Sequence, residues 1–264
     1  MHDDTFTLHR GTTPLLLSLP HVGTLIPDDQ KARYVESALR VDDTDWHLEA
    51  LYGFARDLGA SVLVPRYSRY LVDLNRPPEN VPMYPGANNT ELGPTRSFGG
   101  EPLYREGQAP DDAEIARRVT RYWRPYHDAL QAELQDLHTR HGHAVLFDGH
   151  SIQSELPWLF EGRLRDLNLG TADGRSCAPE LREALDAVLA AQTRWSHVTD
   201  GRFKGGYITR HYGRPDERVH AVQLEMSFAC YMQESPPWVW DAARAAEVQP
   251  VLRQLLDTAR TWRP

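Results

Sequence analysis

The sequence contains little cysteine and no long apolar run. Its 264 residues include two cysteines, Cys177 and Cys230, and neither belongs to a C-x-x-C pair. Two cysteines are too few for a disulfide framework, so a reducing compartment is expected. The apolar run from Leu15 to Leu19 is too short for a signal-peptide core or a membrane span. These absences predict a cytoplasmic protein with no membrane partner.

The sequence also lacks an excess of positive charge. Its 29 Lys and Arg residues are outnumbered by 37 Asp and Glu residues, which gives a net charge of −8 with His neutral. This balance disfavours a nucleic-acid partner or an anionic membrane surface. An anionic ligand must therefore meet a local cluster of arginines. The 12 histidines are abundant by contrast, and histidine is the commonest metal ligand in proteins.

Several well-known catalytic motifs are missing as well. The sequence has no G-x-S-x-G nucleophile elbow, no P-loop, no G-x-G-x-x-G and no His-Glu-x-x-His. Cys230 lies in the apolar run Phe228-Ala229-Cys230-Tyr231, where a thiol is usually buried and inert. Nucleophilic catalysis by serine or cysteine and nucleotide binding are therefore disfavoured.

What is present is the composition of an ordinary globular protein, with 41% hydrophobic and 25% charged residues. A chain of this length is near the upper limit for one hydrophobic core, so a single domain over residues 1–264 is predicted. No pattern in the sequence indicates an oligomeric state.

Short apolar runs alternate with helical patterns along the chain. The runs predict buried strands at 14–20, 61–65, 143–148 and 219–226, with a weaker candidate at 70–74. Helices are predicted at 44–58, at 111–142 with a kink at Pro125, at 181–191, and at 238–262 with an interruption or restart at Pro250. Residues 76–110, rich in Pro, Gly and Asn, predict a long loop that frames a site. The alternation predicts an α/β layered fold with a mixed, mostly parallel sheet flanked by helices.

Reactive side chains stand at three predicted strand ends: His21, His150 and Glu225. Ligands of open α/β sheets bind beyond the carboxyl ends of the strands. Two histidines and a carboxylate, with one position open for water, form the ligand set of a hydrolytic zinc site. His21, Asp45 and His150 suit the ligand role and Glu225 that of a general base, although a single histidine at a strand end is more often structural.

Three arginines are candidate anion ligands. Arg69 and Arg76 flank the weak strand candidate, and Arg210 follows the glycine pair Gly205-Gly206. A guanidinium pairs with a carboxylate through two parallel hydrogen bonds. The alternatives are a salt bridge from Arg69 to Asp73 and an ordinary turn at the glycines. The histidine tract at 138, 141 and 143 ends a predicted helix, where cations favour the helix dipole, so it is not expected to bind metal.

Five segments together resemble those of N-formylglutamate amidohydrolases: Leu19-Pro20-His21-Val22-Gly23, Asp43-Thr44-Asp45-Trp46, Ser68-Arg69-Tyr70-Leu71-Val72-Asp73-Leu74-Asn75-Arg76, Asp148-Gly149-His150-Ser151 and Gln223-Leu224-Glu225-Met226. The resemblance runs from about residue 13 to about residue 260. It implies hydrolysis of a small dianion, N-formyl-L-glutamate, to L-glutamate and formate, the last step of one route of histidine degradation. The family is similar in turn to zinc carboxypeptidases and aspartoacylase-like deacylases, which implies a fold of that kind.

That wider similarity implies a role for each matched residue. It makes His21 and His150 the imidazole ligands, Glu225 the catalytic glutamate, and Asn75 with Arg76 the holder of a substrate carboxylate. Arg69 is implied as the oxyanion donor or a second carboxylate contact.

The sequence departs from the carboxypeptidase pattern at the third ligand. Carboxypeptidases place a carboxylate three residues after the first histidine, where this chain has Thr24. We therefore expect Asp45 to be the third ligand, with Asp43 and His47 as alternatives. We also expect Asp148, without binding the metal itself, to orient one of the ligands. The expected cofactor is Zn²⁺, although the same ligands accept Co²⁺, Mn²⁺ or Ni²⁺. The rival functions are a deacylase for another N-acyl amino acid or small peptide, and a non-catalytic protein that binds metal or a small acid.

Overall fold

A seven-stranded mixed sheet forms the centre of the computed structural model, which describes residues 4–81 and 90–264. The strands are β1 (Phe6–His9), β2 (Leu15–Ser18), β3 (Ser61–Pro65), β4 (Ala144–Ile152), β5 (Leu167–Gly170), β6 (His197–Thr199) and β7 (Val219–Ser227). Their order across the sheet is β1-β3-β2-β4-β7-β5-β6. The middle strands β3, β2, β4 and β7 run parallel, whereas β1 and β5 are antiparallel to β3 and β7. The predicted mixed, mostly parallel sheet is confirmed.

Helices cover both faces of this sheet. In the described ranges they are α1 (Asp28–Lys31), α2 (Leu48–Leu51), α3 (Asp112–Arg118), α4 (Arg124–His141), α5 (Pro179–Ala191), α6 (Tyr207–Tyr212) and α7 (Ala242–Thr261). Apolar side chains of α2, α5 and α7 form one core cluster with the sheet, and those of α4 and α6 form a second cluster. The strands β2, β3, β4 and β7 are buried along their whole length, which explains the apolar runs in β2, in β3 and in the first half of β4.

The strand β4 extends beyond its predicted end at Asp148, through His150 to Ile152, whereas β7 ends at Ser227, one residue after its predicted end. His150 and Glu225 therefore lie within the paired strands, not beyond their ends, because the ladder between β4 and β7 extends as far as Ile152 and Ser227. The short strands β1, β5 and β6 were not predicted.

The predicted helix at 44–58 is wrong. The structure has only the short helix α2 there, followed by a 3₁₀ turn at Gly53–Ala55. His47 adopts a left-handed backbone conformation (φ 63°), which prevents the helix from beginning at Thr44. Residue 45 instead turns towards the sheet, because its backbone N–H donates to the carbonyl of His21 at 3.0 Å.

The strand candidate at 70–74 is also wrong. Its apolar side chains are buried, but the segment is a series of turns. The carboxylate of Asp73 accepts hydrogen bonds from the side chain of Arg69 and from the backbone N–H of Asn75. These local bonds replace the ladder that a strand would need.

The long helical segment confirms its predicted ends, and its α-helical pattern is interrupted just before Pro125, where a kink is predicted. Asp111 caps the start by accepting from the backbone N–H of Glu114 at 2.7 Å, and Gly142 ends it with φ 77°. Between α3 and α4, residues Val119–Trp123 form a π-helical turn just before Pro125. The C-terminal helix α7 differs from prediction, since it begins at Ala242 after the cap Asp241 and continues through Pro250 without interruption.

Residues 76–81 and 90–110 contain no helix or strand, as a long loop requires, and 82–89 lie outside the described residues. The backbone N–H of Asp73 donates to the carbonyl of Leu92 at 2.7 Å, so the later part of the loop is tied to the turns after β3. In the described ranges, no helix combines the length and the apolar character needed to cross a membrane.

Candidate metal centre and active-site cleft

The carboxyl ends of three parallel strands bring the predicted site residues together. The register aligns Ser18 of β2 with Asp148 of β4, and Asp148 with Gln223 of β7. His150 pairs with Glu225 two residues further along, and His21 follows β2 at the same edge. His21, His150 and Glu225 are all buried and line one cleft.

Asp45 completes a group of three metal-ligand side chains with His21 and His150. One ligand atom from each residue lies within 4.8 Å of the other two. The Oδ2 atom of Asp45 is 3.2 Å from Nδ1 of His150 and 3.9 Å from Nδ1 of His21. Ligand atoms bound tetrahedrally to one zinc ion lie about 3.4 Å apart. This buried group could therefore hold a divalent metal ion, and it is the one such group among the residues that the structure describes.

Two further carboxylates orient the histidine rings by accepting hydrogen bonds from their Nε2 atoms. The Nε2 atom of His21 donates to Oδ1 of Asp73 at 2.8 Å, and Nε2 of His150 donates to Oδ2 of Asp148 at 2.9 Å. A guanidinium can only donate, so the 3.1 Å contact from Arg69 to Nδ1 of His21 makes that nitrogen an acceptor. A neutral histidine with a lone pair on Nδ1 and a carboxylate on Nε2 is the form in which a metal ligand is oriented.

Burial and charge perturb the titration of this cluster. Burial raises the pKa of Glu225 to about 8. Burial also opposes ionisation of Asp73, but Arg69 and His21 together hold its pKa well below the usual value. Burial opposes a charge on His150, whereas Asp148 and Asp45 raise its pKa well above the usual range. Such a concentration of shifted groups in one cleft is typical of a functional site.

The two alternative third ligands make other contacts. Asp43 accepts from the backbone N–H of Phe98 at 2.7 Å, and burial raises its pKa to about 7. The ring of His47 donates from Nε2 to the carbonyl of Trp238 at 2.7 Å. Neither residue belongs to the group of metal-ligand atoms.

Among the described residues, three arginines line the cleft: Arg69, Arg76 and Arg202. Arg69 forms the salt bridge to Asp73 that the sequence left open, at 2.6 Å, and its guanidinium lies over the Phe98 ring at 4.6 Å. Arg76 donates to the carbonyls of Asn75 and Thr90, at 2.8 and 3.0 Å.

Arg210, the third arginine of the sequence analysis, is not among the cleft-lining residues, and its Nε donates to the carbonyl of Gly205 at 2.8 Å. The sequence analysis did not identify Arg202 as a site residue. Arg202 is followed directly by Phe203 and lies three residues before Gly205, the first of the two glycines. A basic and aromatic pair beside two glycines was the signal available for it.

The amide of Asn75 joins the metal-ligand group to the start of helix α6. Its Nδ2 lies 3.0 Å from Nε2 of His150, and its Oδ1 accepts from the backbone N–H of Ile208 at 2.8 Å. The backbone N–H of Gly206 donates to Oε1 of Gln223 at 2.7 Å. The glycine pair therefore packs against the site itself instead of forming an ordinary surface turn.

Replacing Gly206 with alanine should disturb this packing. An added Cβ would lie 2.3 Å from Nδ2 of Asn75, an atom fixed by its own hydrogen bonds. Overpacking of this kind costs about 1–3 kcal/mol of unfolding free energy. We expect a loss of about 2 kcal/mol in denaturant titration and a lower kcat/KM. The matched control is Gly53→Ala, because nothing lies within 4 Å of a Cβ at Gly53; equal stability changes in both variants would contradict the proposed close packing.

The histidine tract lies apart from this site. His143 contacts the carbonyls of His141 and Trp262 with its two ring nitrogens, both at 3.2 Å. None of the three histidines of the tract belongs to the metal-ligand group.

Several known proteins are similar to this chain over nearly its whole length. The sequence profile described as N-formylglutamate amidohydrolase matches residues 13–232. Two curated proteins named N-formylglutamate deformylase, from Pseudomonas putida and Pseudomonas aeruginosa, are each 49% identical over 260 residues, covering 98% of this chain and 97% of theirs.

Solved structures show the same fold. The crystal structure of an N-formylglutamate amidohydrolase from Ralstonia eutropha JMP134 matches with a TM-score of 0.80 and 27% identity, covering 97% of this chain and 96% of that one. A gene product of Agrobacterium tumefaciens matches with a TM-score of 0.71 over 97% of this chain and 95% of that one, and its 17% identity shows likeness of fold alone.

Proposed function

The chain belongs to the N-formylglutamate amidohydrolase family, and we propose that it hydrolyses N-formyl-L-glutamate to L-glutamate and formate with a divalent metal ion held by His21, Asp45 and His150. The observation that carries this proposal is the buried group of those three residues in the same cleft as Glu225. We infer zinc as the metal, since two imidazoles and one carboxylate with an open position suit it, although Co²⁺, Mn²⁺ and Ni²⁺ fit the same donors.

A bound ion of this kind supplies two effects: it lowers the pKa of water to about 7 and polarises a carbonyl oxygen. The protein supplies the proton transfers. Glu225 takes a proton from the attacking water and then delivers it to the departing amine nitrogen of glutamate. Its place beside His150 in the β4–β7 ladder supports this role.

Arginines hold the charges of the substrate. Arg69 is proposed to donate to the oxyanion that develops on the formyl group, and its 3.1 Å contact with Nδ1 of His21 supports this role. Arg76, with Asn75, is proposed to hold the carboxylate next to the scissile amide. Asp148 and Asp73 keep the two histidine rings oriented. Arg210 stays a prediction from the sequence alone.

We place the reaction at the end of a histidine-degradation route in the cytoplasm. The free, buried thiols of Cys177 and Cys230 support a reducing compartment.

A panel of acylated substrates tests the proposal. The purified protein is assayed for formate release from N-formyl-L-glutamate and for hydrolysis of N-acetyl- and N-formimidoyl-L-glutamate, and its metal content is measured by elemental analysis. We expect one metal ion per chain and the highest kcat/KM for N-formyl-L-glutamate. A higher kcat/KM for another N-acyl compound would favour the rival deacylase, and bound metal without any hydrolysis would favour a binding protein.

A further inference from the structure

Arg202 enters the cleft from the chain that follows strand β6. Its Nη2 donates to the carbonyl of Leu159 at 3.1 Å, and its guanidinium lies 5.3 Å from the centre of the Phe203 ring. The hydrogen bond and the ring contact both restrict the side chain. A guanidinium held in this way loses little further conformational entropy when it binds an anion.

The cleft around Arg202 has an apolar wall. It consists of Phe98, Ile152, Leu159 and Phe203, which line the same cleft and pack in one hydrophobic cluster. Arg76 lines the same cleft but is attached to another segment of the chain, since its hydrogen bonds include those to Asn75 and Thr90. The two arginines are thus attached to separate segments of the chain, one polar and one largely apolar.

The substrate of the proposed function needs two anion sites of different character. Its α-carboxylate is attached to the carbon that bears the scissile amide, so it must bind close to the metal-ligand group. Asn75 contacts His150 at 3.0 Å, and Arg76, the next residue in the chain, lines the same cleft, so we assign the α-carboxylate to Arg76. The side-chain carboxylate is separated from the α-carbon by two methylene groups, and these favour contact with apolar side chains.

The carboxylates that line the cleft also make a second cationic partner necessary for a substrate with two negative charges. Asp45 and Glu225 contribute carboxylates to its lining, and Arg69 is engaged with Asp73 in a buried salt bridge. A dianion entering such a site needs cationic partners beyond Arg69. Arg76 and Arg202 are the other two arginines that line the described part of the cleft.

We propose that Arg202, beside the apolar wall, binds the side-chain carboxylate of the substrate and so makes the site selective for dicarboxylic N-formyl amino acids. This inference rests on the proposed function and deepens it. The metal-ligand group and Glu225 act on any formyl amide, whereas Arg202 recognises which amino acid carries it.

Selectivity between two isosteric substrates tests the role of Arg202. N-formyl-L-glutamate and N-formyl-L-glutamine have nearly the same shape and differ in carrying a carboxylate or a carboxamide at the end of the side chain, so the ratio of their kcat/KM values measures recognition of the carboxylate. In Arg202→Gln we expect this ratio to fall about 10- to 100-fold, since a hydrogen bond to a charged group is typically worth that factor. The kcat/KM for N-formyl-L-glutamine should stay within about threefold of the wild-type value. Arg202→Lys should restore part of the ratio.

The matched control is Arg194→Gln. The guanidinium of Arg194 also lies over the ring of the next residue, Trp195, at 5.2 Å, but it is not among the cleft-lining residues. This variant should keep the wild-type ratio.

The remaining outcomes would contradict either the proposed function or the role of Arg202 alone. A wild-type protein that releases formate from neither substrate would overturn the proposed function, and the inference with it. An active protein whose Arg202→Gln variant keeps the wild-type ratio, or loses both activities equally, would overturn the inference alone. The inference would also be overturned if Arg210→Gln, and not Arg202→Gln, lowered the ratio.

Discussion

Replacing Glu225 with glutamine should lower kcat on N-formyl-L-glutamate about 1000-fold and leave the metal content unchanged. Glutamine has nearly the same shape, but its amide cannot take a proton from water, and general acid–base catalysis contributes about 10²- to 10⁴-fold. Glu225 is not part of the metal-ligand group, so the metal should stay bound. Steady-state kinetics and elemental analysis of the same preparation measure the two quantities.

The matched control for this prediction is Glu133→Gln. Glu133 is another fully buried glutamate, on helix α4, and its Oε1 accepts from the hydroxyl of Ser61 at 2.7 Å. We expect its kcat to stay within about twofold of the wild-type value, since it lies outside the cleft. A Glu225→Gln variant with wild-type kcat would rule out the general-base role, and loss of its metal would mean that Glu225 is a ligand.

Replacing Asp45 with asparagine should weaken metal binding by more than about 100-fold. Mutation of a residue that only hydrogen-bonds to a metal ligand typically lowers metal affinity about 10- to 100-fold. Because Asp45 is proposed to be a ligand itself, its mutation should have a larger effect. The substitution also leaves Nδ1 of His150 without the negative charge that now faces it at 3.2 Å. Hydrolysis should fall in parallel when metal is limiting. Competition with a chelator measures the affinity, and formate release measures the activity.

Asp43→Asn provides the comparison two residues away. An asparagine there can still accept from the backbone N–H of Phe98 through its side-chain oxygen, so the local structure should be kept. We expect this variant to bind metal with the wild-type stoichiometry. If Asp43→Asn loses the metal while Asp45→Asn retains it, the choice of Asp45 as third ligand is wrong.

Local signals in the sequence were enough for several elements of the fold. The segment 111–142 has a capping aspartate at its start, a glycine at its end and a proline just after its π-helical turn, and each acts on residues within one turn of itself. The strands β2 and β3 and the first half of β4 are largely apolar because both of their faces are buried. Since parallel strands share one carboxyl edge, the order of these elements also predicted that His21, His150 and Glu225 would lie together.

Local sequence patterns gave wrong predictions where contacts with distant residues determine the backbone conformation. The apolar spacing at 44–58 is that of a helix, but the bond from Asp45 to the carbonyl of His21 and the left-handed His47 turn the chain towards the sheet. At 70–74, the buried pair of Arg69 and Asp73 replaces a strand with turns. Both departures from local preference are at the site, where they direct carboxylates towards the two histidines.

The kind of fold, the resemblance to the family and the common sheet edge of His21, His150 and Glu225 could be predicted from residue type and from patterns along the chain. The carboxylate that faces the histidines and the arginines that line the cleft could not, because they depend on how the chain folds. Asp43 and Asp45 are chemically identical and two residues apart, and only Asp45 contacts His150. Arg202 and Arg210 both flank the same glycines, and only Arg202 lines the cleft. The direction of a side chain depends on hydrogen bonds to residues distant in the chain, and no local pattern encodes those bonds.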